Sequence, residues 1–202
     1  CTEGHQPKVS STQRFVVTFN GEIFNYLELR AELSSQGRKF RGESDTEVLL
    51  EAIEHYGFKV ALEKLNGMFS IAVWDREEGT LTLARDRMGE KPLYYSISGE
   101  KIAFASELTG LMKINWIDKR VDRTALNEYF SHLCVPGNHS IIVGARKLEP
   151  GNALIWRRGE YHVEPFWELK EKATSSADFV GNLSESDYVD GLNEILSEAE
   201  RI

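Results

Sequence analysis

RFVVTFNGEIFNY, residues 14–26, is the stretch that decides how this chain folds. Residues 15–19 are all β-branched or aromatic, which is typical of a strand buried on both faces. Asn20-Gly21 follows directly and predicts a tight turn, because both residues tolerate positive φ angles. Such a turn would set the Asn20 carboxamide beside a free backbone N–H. Two fixed donors of this kind form a candidate oxyanion site, although Asn-Gly is also an ordinary connector between elements.

Two helices are predicted immediately after this stretch. Apolar residues between Tyr26 and Leu33 recur at helical spacing, and Gly37 is placed to end that helix. Residues 44–47, Ser-Asp-Thr-Glu, match a capping box in which the serine accepts a backbone N–H and the glutamate reaches back. Asp45 has no role in that box, so its carboxylate is left over in the first turn of the helix.

The rest of the chain predicts antiparallel strands and one more helix. Residues 68–75 and 81–85 form a predicted hairpin, and a second hairpin spans 94–105. A helix over 124–133 with Asp122 as its cap and a late hairpin around 157–159 complete the pattern. Because the strands are not separated regularly by helices, the sequence predicts an α+β or layered sandwich fold.

Composition limits the classes of function. The chain has 202 residues, 41% of them hydrophobic and 28% charged, which suits one globular domain with a short extension. A formal net charge of -8 argues against nucleic acid or an anionic membrane as the partner. No apolar segment approaches the roughly 20 residues that span a bilayer. Two cysteines provide no disulfide framework, so a cytoplasmic location is expected.

Cys1 admits two interpretations. If the chain is processed to begin there, its thiol lies beside a free α-amine that can act as the base for it, as in N-terminal nucleophile hydrolases. If the chain is trimmed, Cys1 is merely where the cut fell. Cys134 is interpreted as a buried small apolar residue.

The character of the sequence changes after Trp167. Residues 168–185 are polar and lack periodicity, which predicts a linker. A last helix then begins near Ser184 and carries an apolar stripe with nothing left in the chain to cover it. We therefore expect a further domain to follow.

Six strings in this order carry a resemblance: FNGEIFNY, SDTEVLL, LNGMFSIAVWD, LARDRMGEKPLYY, FASEL and ARKLEPG. Together they resemble the class II (N-terminal nucleophile) glutamine amidotransferase domain of the glutamine-hydrolysing asparagine synthetases. The resemblance implies a four-layer αββα sandwich over residues 1–168. It also implies that residues 169–202 are a linker and the first helix of an ATP-dependent synthetase domain.

The resemblance also implies an activity and a set of residues. Glutamine would be hydrolysed to glutamate and ammonia, and the ammonia would be used to amidate aspartate or a related carboxylate. By the family pattern Cys1 is the nucleophile, Asn20 and Gly21 form the oxyanion hole, Glu22 completes the substrate wall and Asp45 binds the substrate α-ammonium. Residues 85–91 are expected to form a turn network or interface ion pairs instead of taking part in catalysis.

Cofactors and partners follow from the same resemblance. The glutaminase domain would need neither metal nor cofactor, whereas the synthetase domain would use ATP and Mg. The expected partners are glutamine and the C-terminal synthetase domain of the same parent chain, and a homodimer is one arrangement that the resemblance allows.

The start of the chain departs from the family pattern. Family members begin with Cys-Gly-Ile on a buried strand, well upstream of a Gly-His-Gln-Pro string, and carry an arginine for the substrate α-carboxylate. Here that string, residues 4–7, follows Cys1 almost directly, so the first strand and the arginine are expected to be missing. The alternative function is a non-catalytic, amidotransferase-like module that braces or regulates a synthetase partner.

Overall fold

A computed structural model describes residues 5–169 and 184–200 of the chain. Cys1 lies outside the described residues. The chain divides into two compact units, residues 1–167 and 168–202, and each is described by itself. No helix within the described residues is long and apolar enough to cross a membrane.

The strands of the first unit form two antiparallel sheets. In the described part of the chain they are β1 (Lys8–Val9), β2 (Phe15–Ile23), β3 (Gly67–Asp75), β4 (Thr80–Arg85), β5 (Tyr94–Ser98), β6 (Lys101–Ala105), β7 (Arg146–Lys147), β8 (Asn152–Arg157) and β9 (Glu160–Pro165). The larger sheet has the order β1-β2-β3-β4-β8-β9, and the smaller has the order β6-β5-β7. The three hairpins predicted from the sequence are confirmed as β3–β4, β5–β6 and β8–β9.

The described residues also form six helices, five in the first unit and one in the second. They are α1 (Tyr26–Ser35), α2 (Asp45–Tyr56), α3 (Phe58–Lys64), α4 (Leu108–Leu111), α5 (Arg123–His132) and, in the second unit, α6 (Glu185–Ala199). Asp122 caps α5 through the N–H groups of Thr124 and Ala125, as the sequence predicts. In α6, Ser184 and Asp187 form a capping box.

Side-chain alternation along the strands creates the layers. In β3, Ile71 and Val73 pack with the helices α1 to α3, whereas Ala72 between them faces the second sheet. In β5, Tyr95 faces the first sheet and Tyr94 packs on the opposite side, in the cluster around Leu111 and Ile117. Three apolar clusters therefore separate four layers, and the predicted αββα sandwich is confirmed.

The prediction of a turn at Asn20-Gly21 is wrong. Strand β2 continues through both residues to Ile23 and keeps an unbroken register with β3. The glycine is required by close approach of the two backbones, because a Cβ on Gly21 would lie 2.0 Å from the Met68 carbonyl oxygen. Gly67 on the partner strand stands in the same relation to the Glu22 carbonyl, at 2.2 Å.

The capping box at the start of α2 is only half formed. The Ser44 hydroxyl accepts the Glu47 N–H at 3.3 Å, as predicted. The Glu47 carboxylate instead accepts the N–H groups of Arg41 and Gly42, at 2.7 and 2.8 Å. A buried glutamate thus fixes the loop that leads into α2.

The predicted turn network after β4 is confirmed for Arg85 and Asp86. Asp86 is 1% exposed, and its carboxylate accepts four backbone N–H groups, those of Phe69, Met88, Glu90 and Lys91. The Arg85 guanidinium donates to three backbone carbonyls, those of Gly89, Lys91 and Leu148. Most hydrogen-bonding groups of these two side chains are therefore taken by the backbone, and few are left to bind a substrate.

Cys134 is exposed, which corrects the prediction that it is buried. It lies just after α5, a helix with only Ala125 buried among its residues. The apolar positions that predict α5 are also largely open to solvent, with Phe130 73% and Leu133 81% exposed. Periodicity located the helix correctly but overstated its burial.

Candidate active site

Backbone N–H groups along β2 point alternately toward β3 and away from it, and only those that point away can bind another group. The N–H of Phe24 donates to the Asn66 carbonyl at 2.8 Å, and the N–H of Arg76 donates to the Arg14 carbonyl at 3.0 Å. In an antiparallel pair such bonded positions alternate. The even-numbered residues of β2 therefore bond to β3, and the odd-numbered residues point their N–H groups toward the outer edge of the sheet.

Most of that outer edge is occupied. Strand β1 pairs with Val16 and Val17. Beyond β1, the side chain of Gln6 takes the place of a strand, accepting the Phe19 N–H at 2.6 Å and donating to the Phe19 carbonyl at 2.8 Å. Farther along, the Ile23 N–H is taken by the Asp45 carboxylate at 3.4 Å.

Gly21 lies between these occupied positions. Within residues 5–169 no hydrogen-bond acceptor is paired with its N–H, which points away from β3 between the Gln6 side chain and the Asp45 carboxylate. The edge of β2 thus presents one free backbone donor, held in a strand that pairs along its whole length with β3. A rigid, unpaired N–H is the kind of group that stabilises a developing oxyanion.

Asp45 supplies a negative charge on the same edge. It is the first residue of α2, and its other carboxylate oxygen accepts the N–H of Thr46 at 2.7 Å. The helix N-terminus favours an anion at this position. The side chain is half-buried, so the carboxylate remains open to a cationic ligand.

Asn20 presents its side chain on the face of β2 that looks toward the second sheet. Its Nδ2 atom donates to the Ser106 hydroxyl oxygen at 3.1 Å. Both residues line a cleft of about 150 Å³ whose wall also includes Phe104 and Ala105 at the end of β6. Glu22 lies two residues farther along on the same face and is exposed.

The structure therefore brings together four of the five residues expected at the site. Gly21 and Asp45 share the outer edge of β2, while Asn20 and Glu22 project from the adjacent face. The fifth, Cys1, lies outside the described residues. Sequence reasoning gave no role to Gln6 or Ser106, although the strings Gly-His-Gln-Pro and FASEL contain them, because neither the carboxamide bridge nor the contact between the sheets has a local signature.

A larger cavity of about 310 Å³ lies beside β1 and α2. Of its charged lining residues, Lys8 donates to the Ser44 hydroxyl, and Glu51 is paired with Arg38. Among the described residues there is no group of three or more His, Cys, Asp or Glu side chains that could hold a metal ion.

Comparison with known structures supports the fold. The chain superposes on the glutamine phosphoribosylpyrophosphate amidotransferase of Bacillus subtilis with a TM-score of 0.59 and 23% identity, covering 82% of this chain and 32% of that one. A structure described as the allosteric regulatory enzyme of purine biosynthesis gives a TM-score of 0.61 and 24% identity over 82% of this chain and 32% of the other. At these identities the likeness shows a shared fold, that of the N-terminal nucleophile hydrolases.

Comparison of sequences goes further. The chain is 36% identical over 184 residues to asparagine synthetase [glutamine-hydrolyzing] 1 of Bacillus subtilis, which covers 91% of this chain but 28% of that protein. It is 32% identical over 160 residues to putative asparagine synthetase [glutamine-hydrolyzing] 2 of Methanocaldococcus jannaschii, covering 77% of this chain and 30% of that protein. It thus spans under a third of the length of these relatives. Residues 1–167 match the model of the glutamine amidotransferase domain, and the chain belongs to that family.

Proposed function

We propose that this chain is the glutaminase part of an asparagine synthetase-like amidotransferase. One observation carries the proposal: a free N–H at Gly21 and the Asp45 carboxylate lie on one strand edge, on the family motif. Asp45 accepts the N–H of Ile23, which is two residues from Gly21, and residues two apart in a strand are separated by about 6.8 Å. Glutamine has its carboxamide at one end and its α-ammonium at the other, so it can engage both groups at once.

In this arrangement the α-ammonium pairs with Asp45 and the carboxamide oxygen lies at Gly21. The Asn20 carboxamide adds a second donor from the neighbouring face. Because both donors are positioned before the reaction, they stabilise negative charge on the oxygen as the carbon becomes tetrahedral. Glu22 forms part of the wall on the face that Asn20 shares.

Cys1 is the proposed nucleophile, with its own α-amine as the base. Its sulfur forms a bond to the carboxamide carbon, and the C–N bond then breaks with proton transfer to the leaving nitrogen, releasing ammonia. Water attacks the glutamyl thioester, which releases glutamate and regenerates the thiol.

The fate of the ammonia is the second half of the proposal. The relatives are called glutamine-hydrolysing asparagine synthetases, and this chain covers 28% and 30% of their length. We infer that the ammonia serves ATP- and Mg-dependent amidation of aspartate or a related carboxylate by a synthetase domain in the same parent chain. The cytoplasm is the expected compartment.

The test is glutamate release from glutamine, measured for the chain and for its Cys1→Ala and Asp45→Asn variants. We expect release by the unaltered chain and none by Cys1→Ala. The matched control is Asp122→Asn, which alters an aspartate that caps another helix, outside the site. Glutamine binding by calorimetry without any release would instead support a non-catalytic module and overturn the glutaminase proposal for this chain.

A further inference from the structure

The side chain of Asn20 is held by one residue from the other sheet. Its Nδ2 atom donates to the Ser106 Oγ atom at 3.1 Å. Ser106 directly follows β6 and precedes Glu107, the N-cap of α4. Since its backbone lies between a paired strand and a helix, the hydroxyl has little freedom to move, as a support for a reacting group requires.

An anchor matters here because the end of an asparagine side chain is otherwise poorly fixed. The χ2 torsion of asparagine has a broad, roughly two-fold distribution. A turned carboxamide would present its oxygen instead of its N–H groups, and an oxygen repels an oxyanion. The Asn20 side chain is exposed, so packing alone does not fix the plane of its amide.

We propose that Ser106 is a positioning residue for the glutaminase reaction. Its hydroxyl accepts one Nδ2 hydrogen of Asn20 and leaves the second hydrogen directed at the substrate carboxamide oxygen. The inference rests on the proposed function, since Asn20 acts as an oxyanion donor only if the site hydrolyses glutamine. Ser106 itself touches no reacting atom.

A purely structural role is the competing explanation. The same hydrogen bond joins β2 of the larger sheet to the end of β6 in the smaller one, so it could simply brace the sandwich. A brace would affect the melting temperature and leave the chemical step unchanged. A positioning role would lower kcat with little change in KM, because the oxyanion develops only in the transition state.

The experiment compares the unaltered chain with Ser106→Ala, Ser106→Thr and the control Ser98→Ala, an exposed serine in the same sheet. We expect Ser106→Ala to lower kcat about 5- to 10-fold, the effect of one lost hydrogen bond, with KM within about two-fold. Ser106→Thr keeps the hydroxyl and should restore most of kcat. Ser98→Ala should behave like the unaltered chain.

A second readout does not need activity. The order parameter of the Asn20 side-chain amide, from ¹⁵N relaxation, should be high in the unaltered chain and in Ser106→Thr and clearly lower in Ser106→Ala. An unchanged order parameter, or an unchanged kcat in Ser106→Ala, would overturn the inference. Absence of glutamate release by the unaltered chain would refute the proposed function instead, and the order parameter would still decide whether Ser106 holds Asn20.

Discussion

The Asp45 carboxylate accepts the backbone N–H of Ile23 at 3.4 Å, which ties the first residue of α2 to the last residue of β2. The bond is long for an N–H donor, and a carboxylate has lone pairs for further partners. Asp45 can therefore hold the strand end and still bind a cation. Its negative charge therefore lies at Ile23, two strand positions from the free N–H of Gly21.

Asp45→Asn tests that double role. The amide oxygen can still accept one of the two backbone N–H groups, from Ile23 or from Thr46, so the cost to the fold should be small beside the loss of the charge that faces the substrate α-ammonium. A hydrogen bond to a charged group contributes about 1.5–3 kcal/mol. We expect KM for glutamine to rise about 10- to 100-fold with a smaller change in kcat, measured by steady-state glutamate release.

Asp122→Asn serves as the control for Asp45→Asn. Asp122 also lies at a helix N-terminus, that of α5, where it accepts the N–H groups of Thr124 and Ala125. Its KM should equal that of the unaltered chain. Equal KM values for both variants would show that Asp45 acts only on the fold.

Gly21→Ala should destabilise the protein through the strand pair itself. A Cβ there would meet the Met68 carbonyl oxygen at 2.0 Å, and two backbones in register cannot separate locally without losing hydrogen bonds. Overpacking of this kind costs about 3 kcal/mol. Urea unfolding should show a lower midpoint, and Gly67→Ala should do the same because its Cβ would meet the Glu22 carbonyl.

Gly191→Ala provides the contrast for the glycine series. Gly191 lies inside α6, and a Cβ added at this position would meet no other atom within 4 Å. Alanine favours a helix interior over glycine by about 1 kcal/mol. An increase in the helical signal on circular dichroism is expected, and a loss of stability as large as that of Gly21→Ala would contradict the steric account.

The sequence predicts the elements well and the site only in part. Hairpins, helix caps and the αββα layers follow from periodicity and from the six family strings. The turn prediction at Asn20-Gly21 failed because it rested on the tolerance of both residues for positive φ angles. Here the glycine is needed for a different reason, the close approach of the β3 backbone. Whether Asn-Gly bends or stays extended depends on the partner strand, which lies far away in the sequence.

The supports of the site could not be predicted at all. Gln6 bridges Phe19 through its side chain, and Ser106 reaches Asn20 across 86 positions of the chain. Both contacts depend on tertiary register, and a glutamine or a serine in isolation has no pattern that reveals such a partner. Asp45 stays a prediction, made because the capping box gives its carboxylate no role.

Asp86→Asn should be strongly destabilising. Four backbone N–H groups point at this buried carboxylate, and asparagine replaces one accepting oxygen with a group that donates. Leaving buried donors unpaired costs about 3 kcal/mol. The urea midpoint should fall clearly, whereas Asp118→Asn, which alters a partly exposed aspartate paired with Arg120, should leave it almost unchanged.

The pH dependence of stability should report on Glu54. Burial opposes its ionisation, but hydrogen bonds from Thr12, Ser11 and Arg38 outweigh that effect and lower the pKa of Glu54 from 4.5 to about 2. Because the folded pKa lies below the unfolded value, the carboxylate stabilises the fold above about pH 5. That contribution is lost progressively as the pH falls toward 2.

Glu54→Gln should therefore lower the free energy of unfolding by about 2 kcal/mol at pH 7, with allowance for solvent screening, and by much less at pH 2.5. Urea unfolding at several pH values measures the difference between the two proteins. Glu63→Gln is the matched control, since Glu63 is an exposed glutamate on the neighbouring helix α3. A difference between Glu54→Gln and the unaltered chain that stays constant from pH 7 to pH 2.5 would show that Glu54 acts through packing, because only an ionised carboxylate gains from these donors as the pH rises.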